Sequence, residues 1–173
     1  MEIYLIRHTT PALSPGLIYG RLEVPLTGDF EKEFDILKTQ LPVKFDQVYS
    51  SPATRCTLLA EKIDPAFTTD PRLAELDFGD WEGKTWDTVD QNDLQQWMDD
   101  FVNCCVPGGE SMLDLQLRVN VFWSELIKMN WQRVAIVTHA GVIRMLLTIH
   151  RGTLLADFFK IEVKYGAVLV IRV

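Results

Sequence analysis

Val134-Ala135-Ile136-Val137-Thr138-His139-Ala140-Gly141 carries the reading of the fold. Uncharged and rich in β-branched residues, Val134 to Thr138 has the composition of a strand buried on both faces. Ala140-Gly141 then opens a helix bearing Val142, Ile143, Leu146 and Leu147 on one side. In an open α/β sheet, ligands bind at the carboxyl ends of the strands, so His139 is predicted to face a crevice. The same arrangement occurs at the start of the chain, where Tyr4-Leu5-Ile6 runs into Arg7-His8. A third strand-like stretch, Gln47-Val48-Tyr49-Ser50, ends in Ser51-Pro52 and leads into a segment carrying Arg55. Arg7, His8, Arg55 and His139 are therefore expected at one site, although most of the chain separates them.

Working outward, Glu2 to Ile6 reads as the first strand, followed by a loop from Thr9 to Gly28 whose length suggests a function. Asp29 to Leu41 has Phe30, Phe34, Ile36, Leu37 and Leu41 at near-helical spacing, with Pro42 as the stop. Pro52 is read as the first residue of a second helix, with Leu58, Leu59 and Ile63 facing inward. Leu73 to Gly83 is acidic and broken by glycines, a structured loop. One or two short helices are expected between Trp86 and Phe101, with Trp97 and Met98 packed as a cap. After the break at Pro107-Gly108-Gly109, Leu113, Leu117, Val121, Phe122 and Leu126 predict a long amphipathic helix. Phe158 to Val163 and Ala167 to Val173 read as a final hairpin joined at Tyr165-Gly166. Alternating strands and helices place the chain in the α/β class. The expectation is a single three-layer α/β/α domain over residues 1–173, with a mainly parallel sheet flanked by helices.

The 173 residues are enough for one hydrophobic core, and no apolar run is long enough to span a bilayer. A net charge of −7 argues against nucleic-acid and anionic-membrane partners. Cys56, Cys104 and Cys105 are odd in number, which disfavours a disulfide framework. The chain is read as soluble and cytoplasmic, with oligomeric state left open, a homodimer included.

Arginine forks in an acidic protein suit a small anion, and the residue set suits phosphate. A neutral imidazole can attack phosphorus, and Arg7 and Arg55 match phosphate oxygens and stabilise developing charge. His139 adds a donor across the anion, and helix N-termini near Pro52 and Ala140-Gly141 add backbone N–H groups. The leaving oxygen needs an acid, for which Glu75 is the first candidate among neighbours Asp77, Asp80 and Glu82. Competing chemistries lack their residues. Six positions after the cysteines stand Lys62, Glu110 and Ser111 rather than Arg, and no Gly-Lys-Ser/Thr phosphate loop occurs. No cluster has metal-ligand spacing, so neither metal nor cofactor is expected.

Leu5-Ile6-Arg7-His8, Ser50 to Arg55, Leu73 to Gly83, Pro107 to Ser111 and Thr138 to Val142 resemble, in order, the motifs of the histidine phosphatase superfamily. The resemblance implies that His8 becomes phosphohistidine, that Arg7, Arg55 and His139 bind phosphate, and that Glu75 is the proton donor. Arg7 to Pro11 with Ile18-Tyr19-Gly20-Arg21 and Val24 to Thr27 is similar to the α-ribazole phosphatases of that family. It implies Tyr19, Gly20, Arg21 and Ala140 as substrate contacts, with Ser14 where many relatives place a phosphate-binding Asn. The substrate expected is a small phosphorylated metabolite, with α-ribazole 5′-phosphate preferred. A broad sugar-phosphate or phosphoglycerate phosphatase and a non-catalytic phospho-ligand scaffold are the alternatives.

Overall fold

The computed structural model describes residues 1–173. Five strands form one sheet: β1 (Glu2–Arg7), β2 (Gln47–Ser50), β3 (Thr68–Thr69), β4 (Arg133–Thr138) and β5 (Val168–Arg172), in the order β3-β2-β4-β1-β5. All pairings are parallel except that of β5, which runs antiparallel to β1 at the edge. The central strand is β4, and from Val134 onward it is buried on both faces, as its composition requires.

Strand alternation divides the apolar residues between two layers. Ile3, Leu5, Val134 and Ile136 face a large cluster built with α4 (Met112–Leu126) and α5 (Ala140–Arg151). Ile6, Val48, Ala135 and Val137 face a smaller one built with α1 (Phe30–Lys38) and α2 (Thr54–Ile63). The remaining helix, α3 (Gln91–Asp99), places Trp97 in an aromatic group with Trp81 and Trp86. The result is the three-layer α/β/α architecture read from the sequence. No helix is long and apolar enough to cross a membrane.

Several local readings are corrected. Pro52 precedes α2, whose N-cap is Ala53, and the helix buries Arg55, Cys56, Leu59 and Ala60 while Leu58 lies exposed. Leu58 is about 160° around the helix from both Cys56 and Ala60, so the face that buries those two residues turns Leu58 outward. In α4 the buried stripe is Met112, Leu115, Val119, Phe122, Trp123 and Leu126, whereas Leu113, Leu117 and Val121 face solvent. The helix carries two apolar stripes, and the one with Phe122 and Trp123 removes more area from water. Ile36 and Met98 are likewise exposed. Finally, Leu155–Lys160 is a 3₁₀ helix and no strand covers Phe158 to Val163, so the tail supplies one edge strand rather than a hairpin. Carbonyls in this stretch are taken by arginines: Arg144 Nε donates to Ile161 O at 2.8 Å and Arg7 Nη1 to Val163 O at 2.6 Å.

The face assignment of α4 separates two substitutions of equal chemistry. Leu115→Ala should cost about 2–5 kcal/mol of stability in urea unfolding, and Leu117→Ala about 0.5 kcal/mol or less. The reverse ranking would overturn the observed register of the helix.

Candidate active site

The ends of β2, β4 and β1 lie side by side because the ladders pair Ser50 with Val137 and Arg7 with Thr138. The next residues extend the pattern, with Ser51 N–H donating to Val137 O at 2.9 Å and His8 N–H to Thr138 O at 3.0 Å. Ser51, His139 and His8 thus emerge in a row, and α2 brings Arg55 beneath them. The rings of His8 and His139 are 5.2 Å apart.

Both histidines are buried, and their neighbours assign their tautomers. His8 Nδ1 lies 2.8 Å from the carbonyl of Thr9, which can only accept, so Nδ1 holds the proton and Nε2 keeps its lone pair. His139 Nδ1 lies 3.3 Å from Arg55 Nη2, which can only donate, so the proton sits on Nε2 and is donated to Ser51 Oγ at 2.8 Å. Burial, reinforced by Arg55 and Arg7 and opposed by the Thr9 carbonyl, pushes the pKa of His8 down to about 3. Burial, with His8 and the two arginines adding to it, also holds His139 well below the ordinary histidine range.

Arg7 and Arg55 form no ion pair with any carboxylate. Their contacts are backbone carbonyls and rings. Arg55 Nη1 donates to Leu22 O at 2.9 Å and Nη2 to Gly20 O at 2.6 Å. Arg7, besides its bond to Val163, lies with Cζ 3.7 Å from the centroid of the Tyr165 ring. In each, Nε is a buried donor without a protein acceptor. Two permanent charges and two neutral imidazoles therefore share one small volume, an environment that attracts an anion able to accept several hydrogen bonds.

Glu75 faces this group from the acidic loop. Its Oε1 accepts from Leu76 N–H and its Oε2 from Gly141 N–H, each at 3.0 Å. The approach requires glycine, since a Cβ at position 141 would stand 2.2 Å from Oε1. Arg118 holds the backbone of the loop, Nη1 donating to the carbonyls of Arg72 and Ala74 and Nη2 to that of Glu75 at 2.8, 2.6 and 2.9 Å. Both oxygens of Glu110 accept from Arg118 at 2.9 Å. A cleft of about 250 Å³ opens beside Glu75, His139, Ser51 and Gly20, with Arg21 and Glu23 at its edge.

The other expected residues divide. Tyr19 closes over Arg55, its ring centroid 5.3 Å from Cζ, and its hydroxyl meets that of Tyr165 at 2.5 Å. Gly20 is pressed against Leu76 O and offers its carbonyl to Arg55. Arg21 is at the rim, paired with Asp77 and Glu110. Ala140 is the first residue of α5, beside His139. Ser14 is exposed in the long loop, and no hydrogen bond joins its side chain to the group. The helix N-termini differ from expectation too, for Gly141 N–H serves Glu75 and Thr54 N–H serves Glu23. Arg118, Tyr165 and the Ser51 hydroxyl were not singled out in the sequence, where an arginine on an amphipathic helix or a tyrosine in a turn carries no local signal. No set of three or more His, Cys, Asp or Glu side chains is arranged to hold a metal ion.

Comparison with known proteins agrees with this geometry. The sequence pattern of the histidine phosphatase superfamily (branch 1) matches residues 3–173, and the chain belongs to that family. A Hydrogenobacter thermophilus protein, a candidate phosphoserine phosphatase 2 by name, is 26% identical over 99% of this chain and 89% of its own. The adenosylcobalamin/alpha-ribazole phosphatase of Escherichia coli K12 is 30% identical over 85% of this chain and 77% of its own. The crystal structure of the alpha-ribazole phosphatase from Shigella flexneri superposes with a TM-score of 0.91 at 27% identity, covering 100% of this chain and 91% of the other. The protein is thus a histidine phosphatase, a hydrolase of phosphorylated substrates.

The buried, neutral His8 makes stability depend on pH. Its pKa lies near 6.5 when unfolded and falls to about 3 when folded, so the unfolded chain binds the extra proton between those values. The contribution is full above about pH 6.5 and is lost as pH falls toward 3. Unfolding free energy from urea titrations should therefore decline more steeply over this window in the wild type than in His8→Ala. Equal slopes would refute the buried neutral imidazole.

Proposed function

We propose that the protein is a phosphomonoesterase acting through phosphohistidine at His8. One observation carries this reading: His8 is held neutral with its proton committed to the Thr9 carbonyl, its Nε2 lone pair free, between two guanidiniums that lack carboxylate partners. Nε2 attacks phosphorus, the ester P–O bond breaks, and the leaving oxygen takes the proton of the Glu75 carboxylic acid. Arg7 and Arg55 receive the charge on the phosphoryl oxygens, and His139 adds a further hydrogen-bonding group. Water then attacks the phosphohistidine with Glu75, now ionised, taking its proton, and phosphate departs as His8 regains its lone pair. Gly141 N–H and Arg118 keep the Glu75 carboxyl and its backbone in place through both steps.

The substrate we infer is α-ribazole 5′-phosphate. Support comes from the Tyr19-Gly20-Arg21 and Val24 to Thr27 motifs, from the Shigella and Escherichia relatives, and from aromatic side chains beside the acid. Phe78 lies next to Glu75 and touches Trp86, with ring centroids 6.1 Å apart, on a wall that suits an aromatic leaving group.

Three outcomes test the proposal. His8→Ala should lose turnover by roughly 10³-fold or more while still binding inorganic phosphate, whereas full activity would sink the mechanism. Gly141→Ala, which displaces Glu75, should lower kcat by roughly 10²-fold for alkyl phosphates and much less for 4-nitrophenyl phosphate, whose leaving group needs no proton. Equal losses on both would argue against Glu75 as the acid. For the substrate, kcat/KM of α-ribazole 5′-phosphate should exceed that of sugar phosphates and nucleotides by about 100-fold, or about 2.7 kcal/mol of transition-state binding. Similar rates across the panel would indicate a general phosphatase.

A further inference from the structure

His8 is the nucleophile in the reading above, yet it is only 1% exposed, and Arg55 beneath it is fully buried. The polar cleft beside Glu75 is lined by Ser51 and His139 but stops short of His8, Arg7 and Arg55. Attack on phosphorus needs the reacting atoms about 3–3.5 Å apart, so whatever covers the imidazole has to move aside first. Two tyrosines from distant parts of the chain supply that cover. The Tyr165 ring lies over the Arg7 guanidinium, with its centroid 5.6 Å from that of the His8 ring. The Tyr19 ring lies over Arg55. Each ring thus caps one of the two phosphate-matching forks, and their hydroxyls meet across the gap at 2.5 Å.

The backbone beside both tyrosines is tied down. Gly166 N–H, next to Tyr165, donates to His8 O at 3.1 Å. Ile18, next to Tyr19, donates to Lys84 O at 2.8 Å and accepts from Gly83 N–H at 2.9 Å. Gly20, on the other side of Tyr19, is packed against Leu76 O and gives its own carbonyl to Arg55. Moving either backbone segment would break these bonds, whereas turning one ring outward breaks only the hydroxyl bridge and that ring's stacking. Tyr165 is 38% exposed and so borders the solvent into which it would turn. Burial, with the Tyr165 hydroxyl adding to it, pushes the pKa of Tyr19 above the ordinary phenol value, which keeps the bridge protonated at neutral pH.

We propose that Tyr19 and Tyr165 form a gate over His8: their hydroxyl bridge holds two rings across the phosphoryl pocket, and a ring turns outward before any phosphate reaches Nε2 and the arginine forks. The inference deepens the phosphomonoesterase reading and rests on it, since it names the residues that control entry to that site. A gate of this kind weakens the apparent affinity for every phosphoryl ligand in proportion to the fraction of molecules that stand open. One bond between neutral hydroxyls is modest, so its removal should raise that fraction by about 3–10-fold.

Chemical labelling measures the gate without turnover. Diethyl pyrocarbonate acylates neutral imidazole, and mass spectrometry of peptides separates the three histidines of the chain, His8, His139 and His150. His150, partly exposed near the end of α5, is the internal reference. Tyr165→Phe and Tyr19→Phe keep the rings and lose the bridge. Each should label His8 about 3–10-fold faster than the wild type with His150 unchanged. The double variant should be no faster than the singles, because both remove the same bond. The Kd of inorganic phosphate, from calorimetry, should fall by the same factor. An unchanged His8 rate in both single variants would overturn the gate, as would a double variant in which the two effects multiply. So would weaker phosphate binding by the Phe variants, which would make the hydroxyls phosphate ligands. Labelling as expected together with no phosphate release from any ester would support the gate and refute the phosphomonoesterase reading.

Discussion

Two guanidiniums, Arg55 buried in α2 and Arg7 half-buried at the end of β1, meet beside the strand ends without a carboxylate to neutralise them, and the irregular parts of the chain are arranged around that constraint. A buried cation is costly unless its donors are met. Here they are met by carbonyls: those of Gly20 and Leu22 for Arg55 and that of Val163 for Arg7. The long loop after β1 and the tail before β5 therefore present backbone oxygens inward instead of pairing as strands. Acids at these positions would stabilise the free protein and compete with any incoming anion, the phosphoryl group in the proposed mechanism, for the same forks. Leaving each Nε unpartnered keeps the site receptive to an anion.

The same charges govern the histidines. Beside two permanent cations and away from water, neither imidazole readily takes a proton, so both remain neutral and their tautomers are set by what touches them. Thr9 fixes one proton on His8 Nδ1, and Ser51 with Arg55 fixes the other on His139 Nε2. Two residues alike in sequence context thus emerge with opposite tautomers, which separates an available lone pair from a hydrogen-bond donor.

Across the site the balance is reversed. The acidic loop carries Glu75, Asp77, Asp80 and Glu82, and its start is held because Arg118 satisfies the carbonyls of Arg72, Ala74 and Glu75 while Glu110 satisfies Arg118. Helix N-termini often receive a substrate anion; here Gly141 N–H holds Glu75 and Thr54 N–H holds Glu23. These two helix ends thus orient carboxylates, and the unpaired cations of the site are side chains.

By itself the sequence determined the strand ends and what they carry. The apolar run Val134 to Val137 specifies a strand covered on both faces, and the strand-like stretches that stop at Arg7-His8, Ser51 and His139 place those residues at the end of a mainly parallel sheet. The α/β class and the meeting of His8, His139 and Arg55 beside Arg7 were legible for that reason, while Glu75 was singled out from its acidic neighbours only by the family motifs. Which stripe of α4 turns inward was not, since Leu113, Leu117 and Val121 share helical spacing with the residues that are buried, and only competition for the sheet surface decides between them. Nor were the inner face of α2, the unpaired tail before β5, or the contacts made by Arg118 and Tyr165. Each depends on partners far away in the chain, such as the carbonyls of Arg72 to Glu75 for Arg118 and the Arg7 guanidinium for Tyr165. Local patterns report a residue's own periodicity and chemistry, whereas the packing that brings distant segments together decides which donors are left without acceptors.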